Sequence, residues 1–226
     1  ESLAGTLQIQ GGYAEAEQLN LEALVILRRR LGAEHPETVE LERNLATLLY
    51  EKGDLRQAES RFRAVWATWR RSLGSEHPTT LGAANDLAAV LKYQQRYGEA
   101  EPIYRETLAS RRRLLGDRHP DVGESWGNLA ELLYDAGRLP EAERAYRQTL
   151  AIYTASLPRG HVFISGSLLG LGAVLTDRGR PSEGEPLLRE ALCLRLDKFG
   201  PADRRTAKAQ RALGVCLAAL GRRREA

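Results

Sequence analysis

Residues 115–156 read LGDRHPDVGESWGNLAELLYDAGRLPEAERAYRQTLAIYTAS, and the rest of the chain repeats this unit. A shift of 42 residues superimposes His35, His77, His119 and His161, with Pro36, Pro78 and Pro120 behind the first three. The same shift aligns Leu45, Leu87, Leu129, Leu171 and Leu213, and also Ala16, Ala58, Ala100, Ala142 and Ala226. Self-similarity at a period of about 20–50 residues marks a solenoid, in which each unit packs on its neighbours rather than on one central core.

Within a unit, residues 37–52 carry Leu41, Leu45, Leu48 and Leu49 at helical spacing, and residues 55–73 carry Ala58, Phe62, Val65, Trp66 and Trp69. That pattern predicts two amphipathic helices per repeat, A then B. Gly53-Asp54, Gly137-Arg138, Gly179-Arg180 and Gly221-Arg222 punctuate the turn between them. Helix B closes at Leu31-Gly32, Leu73-Gly74, Leu115-Gly116 and Phe199-Gly200, where glycine can take a left-handed conformation. Pro36, Pro78 and Pro120 open the next helix A, a position at which the missing N–H is not needed.

The expected architecture is all-α, a right-handed α-solenoid of antiparallel helix pairs with about five repeats. A partial helix A over residues 1–10 precedes five B helices and five further A helices, the last near 203–220. As repeats this gives a partial unit 1–34, units 35–76, 77–118, 119–160 and 161–202, and a partial unit 203–226, all in a single array. Both ends are cut inside a repeat without a polar capping helix, so the chain is expected to be a fragment of a longer protein. Such ends can also self-associate.

The 33 basic and 30 acidic residues leave a net charge of +3, an intermixed helical surface rather than a polycation. Charge alone does not imply nucleic acid. The Arg runs 28–30, 70–71 and 111–113 recur at the end of helix B, where they complement the helix dipole and are expected on the solvated surface. No run approaches the roughly 18 apolar residues of a membrane span. Cys193 and Cys216 stand where the preceding repeat has Ala151 and Val174, and are expected as buried, reduced thiols in a cytoplasmic protein.

Gly11 with Glu15-Ala16-Glu17, Gly137 with Glu141-Ala142-Glu143, and the three Leu-Gly-x-x-His-Pro runs resemble the 42-residue tetratricopeptide repeats (TPR) of kinesin light chains and of many bacterial regulators. The resemblance spans essentially the whole chain. It implies that helix A lines a concave groove and that the protein binds other proteins. The fourth full unit departs from the others: Pro158 replaces the closing Gly, and Gly166, Gly170 and Gly172 interrupt its helix A. Each interior glycine costs about 0.5–1 kcal/mol against alanine. Close helix packing and a flexible joint both account for them, and the retained Leu168, Leu169 and Leu171 favour packing.

The four histidines occupy one loop position per repeat, too far apart to share an ion, so a loop-ordering role is expected and no metal. No nucleophile elbow, phosphate loop or dinucleotide fingerprint is present, and neither an enzyme activity nor a cofactor is expected. What remains is the inner wall. One step off the leucine stripe stand Glu40, Asn44, Thr47 and Glu51, then Gly82, Asp86, Ala89 and Tyr93, then Glu124, Asn128, Glu131 and Asp135, then Gly166, Gly170, Ala173 and Asp177.

Asn44, Asp86, Asn128, Glu131, Tyr93 and Tyr134 are the expected partner contacts, with Arg43, Asn85 and Glu124 beside them. The resemblance places a backbone-holding asparagine at the register of Asn44 and Asn128, whose amide offers a donor and an acceptor. Kinesin light chains accept acidic peptides, whereas this wall is acid-rich, so a basic or neutral segment is expected. A second reading makes the array the sensor or regulatory arm of a larger bacterial signalling ATPase or protease. A third, nucleic-acid binding by the Arg-rich B helices, is disfavoured because the tryptophans fit the packed face.

Overall fold

The computed structural model describes the backbone over residues 3–222 and the side chains over residues 12–222. Glu225-Ala226, where a further helix B is expected to open, lie outside the described residues. The helices are α1 (Leu3–Leu31), α2 (Pro36–Lys52), α3 (Leu55–Leu73), α4 (Pro78–Tyr93), α5 (Tyr97–Leu115), α6 (Pro120–Asp135), α7 (Leu139–Ser156), α8 (Val162–Asp177), α9 (Pro181–Phe199) and α10 (Arg204–Ala219). Among the described residues there is no strand, and the fold is the all-α solenoid of helix pairs. Even-numbered helices are the A elements and odd-numbered ones the B elements. The backbone divides into two compact units, Glu1–Thr107 and Leu108–Ala226, with the division inside α5.

The loop histidines order the repeat by capping helix A. In each of four repeats an imidazole Nδ1 accepts the N–H two residues on: Glu37 to His35, Thr79 to His77, Asp121 to His119 and Phe163 to His161, at 3.2–3.3 Å. An Nδ1 that accepts carries no proton, so the ring does the work that Ser or Asp does at most helix N-termini. In the fifth repeat Asp203 takes over, receiving the Arg205 N–H at 2.8 Å. The A–B turns close on Gly53, Gly137, Gly179 and Gly221 at φ between 72° and 91°. In the turn after α4 the residue is Gln95, the one non-glycine at positive φ (61°) among the described residues.

The first A–B turn does not form. A break is expected at Gly11, yet α1 runs unbroken through Gly11-Gly12.

In the first unit α2 packs on α1 and α3, and α3 on α4. In the second, α7 lies between α6 and α8, and α9 between α8 and α10. Leu45, Leu87 and Leu129 are at most 1% exposed, and burying one leucine side chain stabilises by about 1.5–3 kcal/mol. Ala58, Ala100 and Ala142 are fully buried, and in the next repeat their register holds Gly184. A Cβ at Gly184 would meet the Gly172 carbonyl oxygen at 2.7 Å, and one at Gly172 would meet Leu188 Cγ at 2.6 Å. A Cβ at Gly170 would enter the Tyr146 ring at 2.3 Å, whereas one at Gly166 meets nothing within 4 Å. Two of the three α8 glycines are therefore packing residues.

The arginine after the later turns also has a structural partner. Arg96 binds Glu59 at 2.7 Å, Arg180 binds Glu143 at 3.0 Å and Arg222 binds Glu185 at 2.8 Å, in each case joining a turn to the preceding B helix 37 residues earlier. The same glutamates take an arginine one turn on within their helix, Arg63, Arg147 and Arg189. Glu143 is buried and also pairs with Arg178. Of the cysteines, Cys216 is buried and Cys193 is exposed. The expectation for Cys193 fails because its register, that of Ala151, lies on the outward side of helix B, and Ala151 is itself exposed.

Candidate partner-binding surface on the A helices

Within each unit the A helices meet with an offset of 43 residues, one more than the repeat. In the first unit Arg43 of α2 reaches Asp86 of α4, its Nε donating to Oδ2 at 2.6 Å, while its Nη1 reaches Glu40 Oε1 at 3.4 Å. The guanidinium passes 3.9 Å from where a Cβ of Gly82 would stand. Partial burial opposes the Arg43 charge, but Asp86 and then Glu40 outweigh it and raise its pKa. Two turns further on, Tyr50 meets Tyr93 edge to face at 5.0 Å. Tyr93 stays 61% exposed, a large apolar ring facing solvent, with Lys92 Nζ 5.7 Å from its centroid.

In the second unit the register of Tyr50 and Tyr93 is taken by Tyr134 and Asp177. Tyr134 Oη donates to Asp177 Oδ2 at 2.6 Å. Desolvation first, and that hydrogen bond second, push the Tyr134 pKa up to about 12. Glu124 pairs with Arg111 Nη1 at 2.8 Å. Asn128 is half-buried, and Glu131 and Asp135 are exposed. Glu124, Glu131, Asp135 and Asp177 give this face a surplus of carboxylates.

The structure thus brings the expected residues together in two groups: Arg43, Asn44, Asp86 and Tyr93 in one unit, and Glu124, Asn128, Glu131 and Tyr134 in the other. Asn44 is exposed, as a contact residue must be. Asn85 is not part of the wall. It is 8% exposed, with Oδ1 lacking a hydrogen-bond partner, because one residue around the helix from Asp86 turns it by about 100° into the core.

Arg111 was expected on the surface and is buried at 9% exposure, its Nη1 donating also to the Asp121 carbonyl at 2.9 Å and to Ser125 Oγ at 3.0 Å. Arg195 does the same two repeats later, donating to the Arg205 carbonyl at 2.7 Å. A 42-residue register that alternates Trp69, Arg111, Tyr153 and Arg195 carries the signal, since a position otherwise aromatic is a packed one. The remaining arginines of those runs are exposed. Among the described residues no group of three or more His, Cys, Asp or Glu is placed to hold a metal ion, and no helix is long and apolar enough to cross a membrane.

A family model described as tetratricopeptide repeat matches residues 1–71, 41–109 and 79–155, and a second of the same description matches residues 165–204. The solved TPR-like repeats of a Podosopora anserina putative kinesin light chain are similar at 25% identity and a TM-score of 0.68, over 87% of this chain and 93% of that one. BtubC (BKLC) from P. vanneervenii is similar at 25% identity and a TM-score of 0.72, over 88% of this chain and 79% of that one. A Rap protein complexed with competence and sporulation factor shares the fold alone, at 13% identity, a TM-score of 0.72, and coverage of 96% of this chain and 61% of that one. No curated protein matches the chain.

Proposed function

We propose, from the premise that the chain belongs to the tetratricopeptide-repeat family, that it is a protein-interaction scaffold whose A helices hold an extended or helical segment of a partner protein. The observation that carries this reading is a wall that is exposed and at the same time braced. Asn44 and Tyr93 face solvent while Arg43–Asp86 and Tyr50–Tyr93 fix the helices beneath them, so little ordering entropy remains to oppose binding. In the first unit the Asn44 amide holds a partner's backbone with Tyr93 covering side chains, and in the second unit Asn128 and Tyr134 do the same.

The partner segment is basic or neutral, because the carboxylates of α6 and α8 steer positive charge. A cytoplasmic setting agrees with two free cysteines. The sensor-arm reading uses the same surface, with the partner segment belonging to an enzymatic domain of the same polypeptide.

A peptide array of Lys/Arg-rich, neutral and Asp/Glu-rich segments tests the proposal. The first two classes bind, and Asn44→Ala with Asn128→Ala removes binding while leaving the melting temperature within a degree or two. Retention of acidic peptides alone overturns the charge assignment. A melting temperature that falls with binding makes the amides structural.

A further inference from the structure

Apart from the A-helix wall, the first unit carries a cleft on its B-helix side, between α1 and α3 above α2, of about 440 Å³. Its floor is Val39 and Val65, each at most 3% exposed. Above the floor Glu42 is shared by Arg28 and by Arg61, the latter at 2.6 Å. One repeat on, the same cleft recurs: Arg70, Leu81, Ala84, Ile103 and Thr107 stand 42 residues after Arg28, Val39, Glu42, Arg61 and Val65, yet only about 10 Å³ is left. Trp66 lines the second cleft, and at its register in the first repeat stands Leu24, buried at 2% exposure and outside the first cleft's lining. The Trp66 indole lies in the second cleft with the Arg70 guanidinium 5.4 Å from the ring centroid.

We infer that the first cleft is a docking site for an aromatic side chain, Trp or Tyr, presented by a partner protein. The chain's own second repeat is the template for this reading, with an indole beside an arginine, although Ala84 and Ile103 stand there in place of Glu42 and Arg61. Arg28, at the register of Arg70 and with its side chain 54% exposed, supplies the cation that complements the negative face of the ring. Gln57 and Ser60 on the exposed rim offer acceptors to an indole N–H or a phenol O–H, as such a ring requires when buried.

The test is a ¹⁵N-resolved NMR titration with N-acetyl-tryptophanamide. Saturable shifts confined to the neighbourhood of Val39, Ala64 and Val65 are expected, weakened about two- to fivefold in Arg28→Ala, the scale of one exposed cation–π contact. Leu24→Trp, which copies the second repeat, abolishes them. Should that variant fold poorly, Ala64→Leu on the exposed rim does the same. Undiminished shifts in the filled variants, or equal shifts with N-acetyl-leucinamide, overturn the inference. Free indole binding more tightly than a pentapeptide carrying the same ring overturns the assignment to a protein partner in favour of a small molecule.

Discussion

Two neighbouring helix pairs of the second unit, α6–α7 and α8–α9, meet the same packing requirement with different residues. In α6–α7 the small contact is Ala130 and Ala142, both fully buried, and Gly123 makes room for the Tyr153 ring. In α8–α9 the corresponding positions are Gly172 and Gly184, and backbone meets backbone. Glycine weakens a helix on its own account, so the second pair gives up intrinsic helix stability for a closer crossing. The lesson is that glycine content does not by itself identify a hinge. What each missing Cβ would touch does.

The largest test of this contrast is Gly184→Ala. The added methyl would lie 2.7 Å from the Gly172 oxygen, and overpacking of this kind costs about 1–3 kcal/mol even after the helices move apart. Ala142→Gly in the sister pair should cost only about 1 kcal/mol, the helix-propensity difference. Both are read from denaturant midpoints, and equal losses would erase the distinction between the pairs.

Next in size are the caps, which the two pairs share. His119→Ala and His161→Ala should each lose about 1 kcal/mol, and His→Asp at either site should lose little, since Asp203 performs the same task in α10. Gly166→Ala should go the other way. With open space around it, the alanine stabilises by about 0.5–1 kcal/mol, and a loss would mean that α8 needs to bend there.

The smallest effect is electrostatic. Arg205, through its side chain and then its backbone N–H, holds the Asp203 carboxyl down to about 2 from 3.8. A depressed folded-state pKa gives stability that is present above the unfolded value and disappears as pH falls from about 4 toward 2. The difference in stability between the parent and Asp203→Asn should therefore shrink across that window, and a flat difference would dissociate the cap from the charge.

The helix pairs, the turns and the histidine register were legible from sequence because each follows from a local rule repeated every 42 residues. What escaped depends on neighbours that a single repeat does not display. Arg111 looked like one of three surface arginines and is the one that turns inward to the Asp121 carbonyl. Asn85 and Asp86 differ by one residue and by the whole thickness of a helix surface. The break expected at Gly11 is absent, since α1 runs through it. Trp126 stands in the register of Glu42 and Ala84, which border the B-side clefts.

The 43-residue offset has its own consequence for recognition. Because Arg43 meets Asp86 and Tyr50 meets Tyr93 in the first unit, and Tyr134 meets Asp177 in the second, α2 slips by one position against α4, and α6 against α8. A guest strand laid square across such a surface samples a diagonal of side chains, not a row. Its sequence code would then be staggered, and swapping two residues at the same repeat position would not exchange their contacts.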